Sequence, residues 1–171
     1  SDGTGFNKEL STKQAQWVGT AMALTNYKGV IGDPNMGNGG VGSADLHNSS
    51  PNNGLFWRKS YLHPVNFFQI TDGLSHTLMI GEDVPKFNYH SAWIYSNGDY
   101  CSCHRPLNYF ANPPPTNFNS WPKDMSFRSQ HPGIVQFAVA DGSVHILRDN
   151  IDHSHLRALC TRAGGETVTV P

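Results

Sequence analysis

Nine histidines, three cysteines and thirteen acidic residues are the groups in this chain that could ligate a metal or move a proton. Cys101, Cys103 and His104 lie together, but Cys-x-Cys-His has neither zinc-finger nor haem-attachment spacing, and a tetrahedral site needs a fourth ligand such as Cys160. His153 and His155 sit near His145 in sequence, yet two residues apart on a helix they share no face. Oxygen donors are richer: the stretches from Asp33 to Asp45 and from Asp72 to Asp83 bring carboxylates and carbonyls suited to calcium, although neither follows an EF-hand pattern. Glu82 and Asp83 are neighbours, hence on opposite faces of a strand, which disfavours a paired-carboxylate acid/base site. No Gly-x-Ser-x-Gly elbow, Walker loop or Rossmann glycine pattern occurs. These residues predict a protein that is not an enzyme and carries no resident cofactor, calcium being the one ion its loops would suit.

The cysteine count is odd. Cys101 and Cys103 are too close to favour each other, so Cys160 is expected to pair with one of them, Cys103 being the candidate; the fully reduced state is the alternative. Among the aromatics, Trp57, Trp93 and Trp121 fall near Asn-rich loops together with Tyr95, Tyr100, Tyr109 and Phe110. Stacking faces beside such loops suit a glycan or a protein ligand, against the plainer reading that Trp57 and Trp93 are core.

The elements that must hold these groups are short. At 171 residues the chain fits one domain, residues 1–171, large enough for a core of its own. Twelve basic residues against thirteen acidic ones give a formal charge of −1, so nothing electrostatic points to nucleic acid or an anionic membrane as partner. Only 15% of residues are charged while Gly, Pro, Asn and Ser abound, a composition of loops between short strands rather than of a helical bundle. No apolar run approaches the roughly 18–20 residues that cross a bilayer. No signal-peptide pattern stands at Ser1, so the chain is either soluble as made or trimmed at its N-terminus.

Ser11-Thr12-Lys13-Gln14 reads as a capping box opening a short helix, or else Gln16 to Leu24 is extended, the reading preferred here. Thr25 to Gly32 reads as a strand entering a long loop, Gly32 to Asn53. Leu55 to Arg58, Thr77 to Glu82 and Ser91 to Tyr95 follow as short strands, with Asp72 or Ser75 capping a helical turn at Thr71-Asp72-Gly73-Leu74-Ser75. Residues 97 to 126, with their Pro113-Pro114-Pro115 run, are irregular.

The last third is the most legible. Ile134 to Val139 and Val144 to Arg148 alternate about Asp141-Gly142, which predicts a hairpin closed by a type I′ turn with both central residues at positive φ. Val144 and Ile146 are then expected to share a face with Val135, Phe137 and Val139. Asp152 reads as the N-cap of a helix from His153 to Ala163, about three turns, stopped by Gly164-Gly165.

His131, the nine residues after it and Asp141-Gly142 form a His-x9-Asp-Gly arrangement. With Phe127-Arg128-Ser129-Gln130 before it, it resembles the signature of a prepilin-associated domain of unknown function, expanded in planctomycete-type bacteria. Thr71-Asp72-Gly73-Leu74-Ser75-His76-Thr77-Leu78-Met79-Ile80-Gly81-Glu82 resembles a second block, with His76 where the family has Asn. Asn26-Tyr27-Lys28-Gly29 resembles a third, and Asn150-Ile151-Asp152 through Gly164-Gly165-Glu166 a fourth. The resemblance implies an α+β, mostly β, pilin-like head: an antiparallel sheet with long irregular loops and a short C-terminal helix. It also implies a long apolar N-terminal helix, which does not precede Ser1. Its functional implication is a non-catalytic subunit of a pilus-like or type II secretion pseudopilus apparatus. Such a subunit is exported to the periplasm, cell surface or medium, partners other pilin-like subunits, and meets the membrane only through that helix. The alternative is an exported module binding a glycan or protein on the same scaffold. Within the motifs, His131, Asp141, Gly142, Asp72, Gly73, Gly81 and Glu82 are expected to be structural: Asp141-Gly142 is explained by the turn, and His131 before Pro132 is held extended.

Overall fold

The computed structural model describes residues 22–33, 52–57, 60–88, 91–93, 99–110 and 125–171. Five strands in these residues make one sheet: β1 (Tyr27–Val30), β2 (Leu78–Glu82), β3 (Tyr100–Cys101), β4 (Ile134–Val139) and β5 (Val144–Arg148). Their spatial order is β3-β1-β2-β4-β5. The pairs β1·β2, β2·β4 and β4·β5 are antiparallel, while the two-residue β3 runs parallel to β1, so the sheet is mixed at that edge. Among the described residues there is one short α-helix, α1 (His153–Leu159), and the chain is α+β and mostly β.

The β4–β5 hairpin forms about Asp141-Gly142, but not through the expected turn. Gly142 has φ +89° whereas Asp141 does not have positive φ. The Gly142 amide donates to the Val139 carbonyl at 2.9 Å and the Val139 amide to the Ser143 carbonyl at 2.9 Å. This is a three-residue loop ending in a left-handed glycine, the G1-bulge form of hairpin. The extra loop residue slips the pairing by one, so Phe137 faces His145 and Ala138 faces Val144. A one-residue slip turns a whole strand over. Val144 and Ile146 therefore lie on the outer face, 68% and 55% exposed, and His145 and Leu147 turn inward in their place.

The inner face carries Val30, Leu78, Val135, Phe137, Val139 and Leu147, all buried against Phe127, Leu156 and Leu159. Gly81 opens room for an edge-on Phe127–Phe137 pair with ring centroids 5.0 Å apart; a Cβ on Gly81 would stand 2.4 Å from Phe137 and 2.5 Å from Phe127.

Asp152 caps α1 through its carboxylate, which accepts the His155 amide at 3.0 Å. The helix is two turns rather than the expected three. Cys160 ends it by bonding to Cys103, with Cα atoms 6.4 Å apart, and Arg162 is drawn away to the Asn52 and Gly54 carbonyls. The chain leaves the helical path five residues before Gly165, whose φ of +79° was expected to stop it. Two other expected strands do not form over their described residues: Leu55 and Phe56 hang irregularly from the Val30 carbonyl, and of Ser91 to Trp93 only Ala92 forms a bridge, to Leu24, while Arg58, Ile94 and Tyr95 lie outside the described residues. The expected N-terminal segment before Met22, most of the Gly32–Asn53 loop, the Pro run and Trp121 lie outside the described residues.

Candidate functional site

The motif residues do not converge on one point; each ties two stretches of chain together. Asp72 accepts the Gly164 and Gly165 amides at 2.7 and 2.9 Å, so the second motif block grips the fourth. Gly73, at φ +101°, opens the 3-10 turn Leu74–His76, and its carbonyl accepts the Thr77 hydroxyl at 3.0 Å. Glu82 accepts the Gln136 amide at 2.9 Å, next to the register shift between β2 and β4. Asp141 is held by the Ser143 amide and hydroxyl at 2.8 and 2.6 Å. With a further bond from Ser75, these donors pull its carboxyl down to about 2. His131 is exposed at the far end of β4 from Asp141, its amide donating to the Ser129 hydroxyl at 3.1 Å. The two ends of the His-x9-Asp-Gly motif are thus kept apart by the full length of a strand.

The densest electrostatic feature joins three residues that the sequence named separately, Asp83 as a calcium candidate and Lys28 and Arg128 within motif blocks, but did not bring together. Asp83 is buried with Lys28 Nζ at 3.4 Å and Arg128 Nη1 at 3.3 Å, all three side chains essentially without solvent. Asn88 donates to the same carboxylate at 2.7 Å, Ser91 at 3.3 Å and the Val84 amide at 2.9 Å. Arg128 Nε also donates to the Tyr109 carbonyl at 2.7 Å, pinning residues 105–110 to the sheet. Lys28 lies on the inner face beside Val30, so the alternation of β1 was the available signal that its side chain is buried. The free Cys101 thiol is pushed up to about 12 by burial, with Asp83 nearby adding to the effect.

The outer face is the surface with no structural explanation of its own. An antiparallel sheet with one solvated face normally turns polar residues outward. Here Tyr27, Ile80, Ala138, Val144 and Ile146 share the outer face of β1, β2, β4 and β5 with Glu82, opposite Tyr27, and Gln136, opposite Ile146. Phe56 lies across Gly29, its ring atoms 2.8 Å from where a Cβ would be. Beyond it opens a groove of about 730 Å³ walled by Tyr27, Phe56, Trp57, Trp93 and Tyr100, with Asp99 at its edge. Trp93 is 68% exposed and is not core; Trp57 is buried at 4%, with the Arg162 guanidinium 5.9 Å from its ring centre. Asp99 keeps part of its side chain in water, and burial of the rest pushes its carboxyl up to about 6 against the opposing pull of Lys28.

Among the described residues no group of three or more His, Cys, Asp or Glu side chains is placed to hold a metal ion. His104, next to Cys103, stacks no ligand set around itself; burial lowers it to about 4, and its Nδ1 sits 3.2 Å from the Ser102 hydroxyl. Of the calcium candidates, Asp72 and Asp83 are committed to protein donors, Asp33 pairs with Arg157 at 2.7 Å, and Asp45 lies outside the described residues. No helix among the described residues is long and apolar enough to cross a membrane.

A family model described as a protein of unknown function (DUF1559) matches residues 15–154, more than half of the chain. No curated protein and no solved structure matches it.

Proposed function

The chain belongs to the DUF1559 family of unknown function, and we propose that it is the exported head of a pilin-like subunit, a non-catalytic structural component of a surface pilus or secretion pseudopilus. The observation that carries this reading is the apolar outer face, with Val144 and Ile146 left 68% and 55% exposed. The resemblance supplies what would cover it: the long apolar helix that precedes such heads. A helix laid across β1, β2, β4 and β5 would bury Tyr27, Ile80, Val144 and Ile146, each large apolar side chain being worth roughly 1.5–3 kcal/mol when fully buried.

Two further features agree. The Cys103–Cys160 bridge suits an oxidising compartment and so fits export. The motif carboxylates Asp72, Glu82 and Asp141 are each engaged with protein donors, which favours scaffolding over acid/base work.

The test uses the full-length precursor in its own host. Val144→Arg with Ile146→Arg should leave the thermal stability of the isolated head nearly unchanged, since both side chains are exposed, yet abolish its recovery in sheared surface filaments or cross-linked multimers. Normal incorporation of that double variant would defeat the reading.

The second reading, a module binding an extracellular glycan or protein, is favoured by the aromatic groove and by exposed Trp93 in particular. Glycan binding lost in Trp93→Ala, with assembly intact, would select it.

A further inference from the structure

The aromatic groove opens over β1 and β3, at the opposite edge of the sheet from Val144 and Ile146 on β5. Its five rings, Tyr27, Phe56, Trp57, Trp93 and Tyr100, enclose a volume of about 730 Å³, within the range of small-molecule sites. Tyr27 and Trp93 remain exposed in it, so the protein's own side chains do not fill it. Polar lining is scarce. The Thr25 hydroxyl is already committed, donating to the Tyr27 carbonyl at 2.8 Å and accepting the Tyr27 amide at 3.3 Å. Lys28 turns its side chain to the buried face of the sheet and pairs with Asp83 at 3.4 Å. Ser60 and Asp99 are left to meet a ligand. Among the described residues no protein group donates a hydrogen bond to the Asp99 carboxylate, and burial pushes it up to about 6 against the pull of Lys28.

We infer that the groove binds a quaternary ammonium group, its aromatic walls receiving the methyls and Asp99 balancing the charge. Each other ligand class leaves something unmet. A sugar carries a hydroxyl on most of its carbons, and one serine and one carboxylate cannot replace the water that those hydroxyls would lose. A primary ammonium has three N–H donors to satisfy and meets the same shortage. An anion is repelled by Asp99 and by the negative faces of the rings. A neutral apolar group would bury Asp99 further with nothing of opposite charge beside it. A quaternary ammonium has no N–H and needs no acceptor, while cation–π attraction and one carboxylate together satisfy its charge. The inference rests on the second reading's view of the groove as a ligand site, replaces the glycan by a cation, and is independent of assembly.

The experiment titrates the 171-residue chain with choline chloride by isothermal calorimetry, beside ethanolamine and the uncharged tert-butyl isostere of choline. Choline should bind saturably and the other two about tenfold more weakly, the isostere for want of charge and ethanolamine for its unmet donors. Trp93→Ala and Asp99→Asn should each weaken choline about fivefold or more, as loss of one ring or of the balancing charge requires. Both residues are exposed, and circular-dichroism melting checks that the variants are folded. Trimethylammonium groups occur on free solutes and on phosphatidylcholine, so co-sedimentation with phosphatidylcholine vesicles but not phosphatidylglycerol ones identifies the second source. Either form of binding supports the site if Trp93→Ala removes it. No binding of choline or of these vesicles, equal binding of the uncharged isostere, or choline binding unchanged in both variants would overturn the inference. Glycan binding at Trp93 with no response to choline would also overturn it, while keeping the groove as a ligand site.

Discussion

Asp72 accepts the backbone amide of Gly164 at 2.7 Å across 92 positions of chain, and the neighbouring Gly165 amide at 2.9 Å. The Thr161 hydroxyl adds a weaker bond at 3.4 Å. One carboxylate thus closes the C-terminal segment over the turn that leads into β2. A charged acceptor is needed because a tail turning back after α1 leaves successive amides that no strand can satisfy.

Asp72→Ala should lower the unfolding free energy by about 2 kcal/mol, the usual worth of hydrogen bonds to a charged group. Asp72→Asn keeps an acceptor and should cost clearly less. Urea unfolding of both variants checks this, and equal losses would mean that the charge, which both variants remove, carries the whole effect and a neutral acceptor none of it.

At the hairpin, Gly142 has no atom within 4 Å of a prospective Cβ, so any cost of substitution there is conformational rather than steric crowding. At φ +89° a β-branched residue is strained, and Gly142→Val should cost roughly 1–3 kcal/mol. Gly142→Asn should cost far less, because Asn tolerates the left-handed region. Similar midpoints for the two variants in chemical denaturation would rule out a strained turn.

That turn also marks where the sequence stopped being readable. Asp-Gly between alternating runs located the hairpin, and the capping pattern located α1, because both signals are local. Whether the loop has two residues or three is settled by how β4 and β5 pair, which no short motif states. The wrong loop put Val144 and Ile146 on the inner face and so concealed the apolar outer face, the feature on which the functional proposal rests. Helix length failed for a related reason: periodicity ran on to Ala163, but the Cys103–Cys160 bridge and the Arg162 contacts are long-range and ended the helix at Leu159. The Lys28–Asp83–Arg128 cluster joins residues up to 100 positions apart, and only the core register of Lys28 hinted at it.

That cluster makes an ordered prediction. Asp83→Ala strands two buried cations and should cost about 3–5 kcal/mol, enough to threaten folding of the isolated chain. Lys28→Met should cost much less, for Asp83 keeps Arg128, Asn88 and Ser91 while the Lys28 ammonium, at 3.4 Å, makes no hydrogen bond in return. Thermal melting of Lys28→Met gives the readout that survives if Asp83→Ala is not recovered. A Lys28→Met loss as large as that expected for Asp83→Ala would make the lysine an equal partner, contrary to this geometry.

Asp99 gives the pH dependence. Burial raises its folded carboxyl from 3.8 to about 6, so the fold disfavours its ionisation. Below the unfolded value the group is protonated in both states and costs nothing. The penalty grows as pH rises from about 4 to about 6 and is complete above that. Asp99→Asn removes the ionisation, so the variant should melt higher than the parent at about pH 7 and match it at about pH 3.5. Because Asp99 sits at the edge of the aromatic groove, the same substitution also tests whether its charge is held there for a ligand: a gain in stability with no loss of assembly would mark it as a tolerated burden. A variant less stable than the parent at neutral pH would instead show that the nearby Lys28 makes the charge favourable, reversing the assigned balance between burial and attraction.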